Sequence, residues 1–393
     1  MIKRAKRIEA VQPFGIDRVA AAADAPPEAR PDWPVLRLEN LDTNLPLPPE
    51  AIAETAAALE TPEANSWLPF EGDVDLRAAI SDFTAARTGH RYDPETEIVI
   101  TAGGMEGLLN ALLATVDPGD EVLVTDPTYA GIVNRIRLAD GEPRFVRFED
   151  VEGEWRLDTD ALRSSLSDRT RAMCLMSPSM PSGGTFTEED WRAVCDIVQE
   201  RELVLIYDAA MERLLYDGRP LVHPLHFEGM TERTIVVGSL SKEHRMIGWR
   251  VGWTAAPRET ATNLKCAHIY NPTMPVALSR RAATVVLRGE QGHVEECVRE
   301  LERRRDVILK VLEGWPLVRP GGGWSLLMNV EKLGFDPQEA SAILLGEAAV
   351  AATAMVGWGD AVAAKHIRFV YSAESVERLE SLGERLTATR LAG

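Results

Sequence analysis

Between residues 45 and 275, short β-rich runs alternate with helical stretches, and this alternation constrains the fold of the 393-residue chain more than any other feature. The runs fall at 98–100, 121–125, 171–176, 203–207 and 234–238, with helical patterns at 105–116 and 188–200. Strands that alternate with helices imply crossover units and a mostly parallel sheet. Thr187-Glu188-Glu189-Asp190 reads as a capping box, with Asp in place of the usual Glu. Residues 1–44, crowded with Pro and Ala at 20–34, read as an N-terminal arm contributing to a smaller domain. From 276 onward the texture changes to a charged helical stretch over 279–312, strands at 325–330 and 366–371, and an amphipathic helix at 377–389. The expected organisation is an arm (1–44), a large α/β domain (45–275) and a smaller α+β domain (276–393).

Charge and cysteine content narrow the partners. Lys and Arg number 43 against 61 Asp and Glu, a net charge of −18. Nucleic-acid binding relies on cations that neutralise phosphates, and an anionic membrane surface also attracts cations, so neither partner is expected. No stretch approaches the roughly 20 apolar residues of a membrane span. Cys174, Cys195, Cys266 and Cys297 are scattered without CxxC pairing, which fits a reducing, cytoplasmic compartment. No metal site is expected. The seven histidines show no HExxH spacing, and Pro224 interrupts the His223–His226 pair. Hydrolysis through a Ser-His-Asp triad lacks a GxSxG elbow.

Parallel sheets bind ligands at the carboxyl ends of their strands, so the residues just past each run carry the chemistry. After 98–100 comes Thr101-Ala102-Gly103-Gly104-Met105, a glycine turn opening a helix. Free N–H groups there suit a phosphate, though such a turn also serves as plain strand-to-helix punctuation. After 121–125 comes Tyr129, able to stack on a flat heterocycle or simply to pack. After 203–207 comes Asp208, able to bond a protonated ring nitrogen or to cap a helix. After 234–238 comes Ser239-Leu240-Ser241-Lys242, followed by Arg250. Lys242 could condense with an aldehyde, and Arg250 could fork onto a phosphate. Either could instead be an ordinary surface cation. The order of the five signals, each at or just beyond a strand end, is what favours the functional readings.

This order resembles the fold type I pyridoxal 5′-phosphate (PLP) enzymes, specifically the class I/II aminotransferase superfamily. The resemblance runs from about Leu36 to the last helix. It is most specific at Ser239-Leu240-Ser241-Lys242 and Gly248-Trp249-Arg250-Val251-Gly252, with support from 65–72 and 208–218. It implies the PLP-dependent transferase fold, with a large, seven-stranded, mostly parallel sheet domain and a smaller α+β domain. It also implies a homodimer with shared active sites. Lys242 then resembles the Schiff-base lysine, Asp208 the partner of the ring nitrogen and Tyr129 the stacking aromatic. Gly103, Gly104, Met105, Ser239 and Arg250 resemble the phosphate site, and Arg368 the clamp on the substrate α-carboxylate. Trp67 and Tyr270-Asn271-Pro272 lie where the family's segments reach across to the partner subunit.

Several positions depart from the family pattern. The family's Asn-Pro-x-Asn-Pro-Thr-Gly is Ser177-Pro178-Ser179-Met180-Pro181-Ser182-Gly183 here, which puts Met180 where an Asn donates to the cofactor's phenolic oxygen. Met211 replaces a Tyr that bonds the same oxygen, and Trp67 replaces a Tyr that reaches the phosphate. A phenolate that loses two donors leans on the Schiff-base proton, so the Schiff base is expected to stay protonated at neutral pH. An absorbance titration with its inflection near or below about pH 7 would contradict this. In Leu41-Asp42-Thr43-Asn44, Asp42 and Asn44 lie where the family lines the substrate pocket. Asp42 could greet a cationic, arginine-like substrate, or cap its own loop.

The function these readings imply is transfer of an amino group between an L-amino acid and a 2-oxo acid. The alternative is a PLP-dependent lyase or cyclase performing elimination, replacement or cyclisation, which Met180 and Met211 favour more than they favour a plain aminotransferase. A non-catalytic regulatory module is a third reading, weakened by the intact Lys242 and Asp208.

Overall fold

The computed structural model describes residues 3–13, 15–25, 27–28 and 30–393. Its centre is an eight-stranded sheet. In chain order the strands are β1 (Ile98–Thr101), β2 (Glu121–Asp126), β3 (Glu142–Val151), β4 (Glu154–Leu157), β5 (Thr170–Met176), β6 (Val204–Asp208), β7 (Thr234–Ser239) and β8 (Gly252–Ala255). They lie side by side as β1-β8-β7-β6-β5-β2-β3-β4. β7, β6, β5, β2 and β3 pair in parallel, and β8 runs antiparallel to both of its neighbours. β1 therefore points the same way as β7, and its carboxyl end opens on the same edge.

The central strands are apolar on both faces because both faces are covered. Val122, Val124, Cys174, Ile206, Ile235 and Val237 pack against Leu108 and Leu112 of α3 (Gly104–Thr115), Ile132 and Ile136 of α4 (Ala130–Leu138) and Leu264 of α6 (Arg258–Ile269). The alternate residues Leu123, Met173, Leu175, Leu205, Tyr207 and Val236 face a second core, which holds Trp191, Val194 and Ile197 of α5 (Glu188–Glu200). α5 starts at the capping box: Thr187 Oγ1 accepts from the Asp190 N–H at 3.1 Å, and Asp190 Oδ2 accepts from the Thr187 N–H at 2.8 Å.

The sheet exceeds the seven strands implied by family resemblance because β3 folds back on β4. Glu152 and Gly153, both at positive φ (54° and 83°), make the tight turn between them. The single helical stretch read at 279–312 is two helices, α7 (Arg280–Arg288) and α8 (Gly292–Val311). Gly289 adopts an extended conformation between them, and Gln291 Nε2 donates to the Val286 and Gly289 carbonyls at 2.9 Å. α7 packs on α1 (Pro49–Ala58) and α2 (Val74–Thr88) beside the large sheet. α8 packs instead on the C-terminal helices Val376–Glu380 and Leu382–Thr387, which replace the single helix read at 377–389. Packing partners thus change at 289–291, later than the texture change at 276.

The smaller domain holds an antiparallel sheet of β9 (Leu317–Val318), β10 (Ser325–Asn329), β11 (Thr353–Ala354) and β12 (His366–Val370), in the order β9-β10-β12-β11. The N-terminal arm joins it: Leu36–Arg37 pairs in parallel with Val350–Ala351. No helix among the described residues is long and apolar enough to cross a membrane, and no cluster of three or more of their His, Cys, Asp and Glu side chains is arranged to hold a metal ion.

Candidate active site

The carboxyl ends of β2, β5, β6 and β7 and the turn after β1 converge on one cavity of about 250 Å³. Its lining includes Gly104, Met105, Tyr129, Met180, Asp208, Ser239, Lys242 and Arg250, which the sequence also singles out.

Lys242 lies past β7 in a turn closed by the Arg245 N–H bonding to the Lys242 carbonyl at 3.2 Å. Its Nζ donates to the Leu41 carbonyl at 3.2 Å and sits 4.1 Å from the centre of the Trp324 ring. Burial, helped by the positive charge of Arg368, lowers its ammonium from 10.5 to about 8, against the opposing pull of Asp42 and Asp208. An amine in that range loses its proton readily, as a group that condenses with carbonyls and shuttles protons must.

Asp208 ends β6 and is buried. Its Oδ1 accepts from the Ala210 N–H at 3.1 Å, while Oδ2 has no partner. Burial raises its carboxyl from 3.8 to about 7, although the Ala210 N–H and the charges of Lys242 and Arg135 pull it down. A carboxylate kept this way is short of one hydrogen-bonded cation.

At the other end, Gly104 and Met105 are the first residues of α3, so their N–H groups have no intrahelical acceptor. Gly103 reaches this turn at φ +85°, and a Cβ on it would fall 2.3 Å from Arg250 Nη2. Arg250 is held by the Ile247 carbonyl at 2.8 Å and the Ala102 carbonyl at 3.4 Å. Ser239 Oγ donates to Ser241 Oγ at 3.0 Å beside it. N–H groups, hydroxyls and a guanidinium that face one space make an anion site.

Tyr129 caps α4, where Gly131 leaves room for its ring: a Cβ there would lie 2.3 Å from the ring edge. The ring meets Trp358 edge-on, with centroids 5.5 Å apart. Below the same Trp358, 4.4 Å from the ring centre, sits the guanidinium of Arg368. Arg368 is fully buried, and its Nη2 donates to the Glu39 carbonyl at 2.8 Å while Nε and Nη1 have no partner. Burial lowers it to about 9, with Tyr129 and Glu39 opposing. A buried guanidinium with unpaired N–H groups calls for an anion such as a carboxylate.

Met180 and Met211 are buried in the cavity wall. Met180 Sδ accepts from Ser325 Oγ at 3.3 Å, so this side of the cavity offers thioethers rather than N–H or O–H donors. Asp42 and Asn44 lie outside the lining and are exposed. Asp42 Oδ1 accepts from the Thr43 N–H at 2.8 Å, the loop-capping role, and its charge also acts on the Lys242 ammonium. Trp67 also stays apart, 68% exposed and edge-on to Phe70 within the same chain.

Leu41 and Ser241, quoted within motifs but given no role of their own, line the cavity, and Trp324 and Trp358, marked by no motif, lie against Lys242, Tyr129 and Arg368. Trp324 follows three consecutive glycines, a sign of close backbone approach that could have drawn attention to it.

The residues fit pyridoxal 5′-phosphate: an amine for its aldehyde, an unpaired buried carboxylate for its ring N–H and an anion cradle for its phosphate. Residues 38–386 match the model of the family "Aminotransferase class I and II". The chain is 32% identical over 86% of its length to aromatic-amino-acid aminotransferase 2 of Thermococcus litoralis, covering 87% of that protein. It is 31% identical to the aspartate aminotransferase of Pyrococcus abyssi, over the same shares of the two chains. Among solved structures it is similar to N-succinyldiaminopimelate aminotransferase from Mycobacterium tuberculosis, with a TM-score of 0.90 and 27% identity, covering 98% of this chain and 99% of that one.

Proposed function

The chain belongs to the class I and II aminotransferase family and is a PLP-dependent aminotransferase, and from that premise we propose how its own residues divide the work. When bound, pyridoxal phosphate supplies the aldehyde that takes up the amino group and a protonated ring that withdraws electrons from the substrate Cα. The remaining tasks fall to the protein.

Arg368 binds the α-carboxylate of an L-amino acid or a 2-oxo acid through its guanidinium, on which Nε and Nη1 lack partners. Its lowered pKa reflects the burial that a bound carboxylate would offset. Lys242 holds the cofactor and then moves a proton to and from the substrate Cα, a task suited to an amine brought down to about 8. Asp208 stays ionised against the ring N–H, and its unpaired Oδ2 is the single observation that carries the reading. Arg250, Ser239 and the N–H groups of Gly104 and Met105 hold the phosphate, and Tyr129 confines the ring. Met180 and Met211 exclude water while donating nothing.

The working unit is a homodimer in the cytoplasm. Trp67 and Tyr270, 68% and 90% exposed, support a partner surface, and four unpaired cysteines fit a reducing compartment.

The test is a half-reaction. PLP-loaded enzyme receives single L-amino acids without an acceptor, and the released 2-oxo acid is measured. The expected result is one equivalent per subunit, renewed only when a second 2-oxo acid is added, and none from Lys242→Ala. Continued release without an acceptor would assign elimination chemistry instead.

A further inference from the structure

The turn carrying Lys242 is gripped from outside by the three side chains that follow it. Glu243 is buried and accepts from Arg213 twice, from its backbone N–H at 2.8 Å and from its Nε at 2.6 Å. Arg245, also buried and at φ +59°, donates through Nε to the Pro46 carbonyl at 2.7 Å. Its Nη1 donates to the carbonyls of Glu243 at 3.2 Å and His293 at 3.0 Å. Between them lies His244, with Nε2 3.3 Å from Arg213 Nη2 and Nδ1 2.9 Å from His293 Nε2. His293 sits in the first turn of α8, the helix that opens the smaller domain. The two imidazoles therefore join the Lys242 turn to that helix.

Proton counting fixes the direction of this chain. A guanidinium only donates, so His244 Nε2 accepts and its one proton sits on Nδ1. His293 Nε2 must then accept, which leaves its proton on Nδ1, and its backbone hydrogen bond with Glu290 fits that tautomer. A further proton on His293 Nε2 would set N–H against N–H at the 2.9 Å contact.

We propose that His244 is a positioning residue for Lys242, latched to α8 through neutral His293, and that protonation of His293 opens the latch. This rests on the reading of Lys242 as the cofactor lysine. The charged and titratable groups facing the pair agree with a neutral resting state. His244 meets Arg213 after β6, Arg87 on α2 and Arg245 in its own turn, and burial with these cations keeps it neutral. The Phe83 ring on α2 lies 5.8 Å away. His293 is half-buried, and burial, Arg245 and Arg213 outweigh Glu50 on α1 and the Glu290 backbone to lower its pKa. Being partly open to solvent, His293 takes the proton first as pH falls.

The experiment follows kcat and the amino-acid KM of the PLP-loaded enzyme from about pH 5.5 to about pH 8 in the wild type, His293→Gln and His293→Leu. Glutamine offers a carbonyl acceptor that does not titrate, and leucine offers none. The acid loss of kcat is expected to be about tenfold shallower in His293→Gln than in the wild type, the worth of one hydrogen bond. His293→Leu should show a kcat about tenfold lower at every pH, with little change in KM. Imidazole 15N shifts in the labelled holoenzyme should report Nδ1–H on both rings near pH 8, and protonation of His293 along the acid limb of kcat. Superimposable profiles for all three proteins, or Nε2–H on His244, would overturn the latch. Lys242→Ala separates the two claims: if it is inactive while the profiles coincide, only the latch fails, and if it remains active, the site reading fails first.

Discussion

Replacing Asp208 with asparagine exchanges one carboxylate oxygen for an NH2 on a side chain that is 1% exposed. In the cofactor-free protein this change should raise stability at alkaline pH, even though it damages the site. Burial lifts the folded-state pKa of Asp208 from 3.8 to about 7. A group raised in this way contributes stability below its unfolded pKa and loses it as pH rises through the folded one. Near pH 8 the folded chain must hold the charge it disfavours, at a cost of about 4 kcal/mol from roughly three pKa units. Near pH 5 the folded carboxyl is already neutral, and the cost is below about 2 kcal/mol. Asparagine keeps the Ala210 N–H bond through its oxygen but buries an NH2 without an acceptor, a penalty of about 1–3 kcal/mol. The balance favours Asp208→Asn by about 1–3 kcal/mol near pH 8 and removes or reverses the gain near pH 5. Thermal unfolding of both stripped proteins in matched buffers measures the difference. A gap in Tm that is the same at both pH values, or a variant that melts lower near pH 8, would refute the account of Asp208 as an unpaired buried charge. Added pyridoxal phosphate should then raise the Tm of the wild type by more than that of the variant, because only the wild type pairs a charge on binding.

Arg368→Lys keeps the charge but loses the planar fork, and should lower kcat/KM for the amino acid about 100-fold, or about 3 kcal/mol. A fall of less than about threefold would argue against Arg368 as the carboxylate clamp. Gly103→Ala places a Cβ 2.3 Å from Arg250 Nη2 on a backbone at φ +85°, so the Kd for pyridoxal phosphate should rise at least about tenfold. Equilibrium dialysis checks this, and an unchanged Kd would remove Gly103 from the cradle. His223 and His244 are buried and held neutral, chiefly by burial and then by neighbouring arginines, so their pKa values lie well below 6.5. The unfolded chain takes up these protons first, so stability present above about pH 6.5 drains away as pH falls. Melting curves should show Tm dropping steeply below about pH 6, and less steeply in His223→Gln.

Much of this site could be read from strand ends, and the reason is geometric. In a parallel sheet every strand delivers its last residues to one edge, so Asp208 at the end of β6 and Lys242 just after β7 are placed by secondary structure alone. Residues whose position depends on the smaller domain lie beyond that rule. Trp358 reaches Tyr129 and Arg368 from a loop tied to the end of β2, where Asp126 accepts from the Val362 and Ala363 N–H groups at 2.8 and 2.9 Å. No local pattern announces that contact. The charged periodicity over 279–312 hid a break because amphipathic character continues across it, while Gly289 and Gly292, each costing about 1 kcal/mol relative to alanine inside a helix, mark where it ends. Asp42 shows another limit: its carboxylate caps its own loop and also acts on Lys242, and no local pattern chooses between the two roles.

What the sequence could not convey is the state of the polar atoms once buried. Asp208 Oδ2, Arg368 Nε and Arg368 Nη1 lack partners, as do Glu39 Oε2, Glu212 Oε2 and Arg219 Nε among the buried charged side chains described. Each such atom costs about 1–3 kcal/mol or more, which folding alone would not favour. Asp208 and Arg368 act on Lys242 with opposite sign, one missing a cation and the other an anion. Bound pyridoxal phosphate would supply the ring N–H for Asp208, and a substrate carboxylate the anion for Arg368. The stability withheld from the empty protein is thus returned on binding, part by the cofactor and part by the substrate carboxylate.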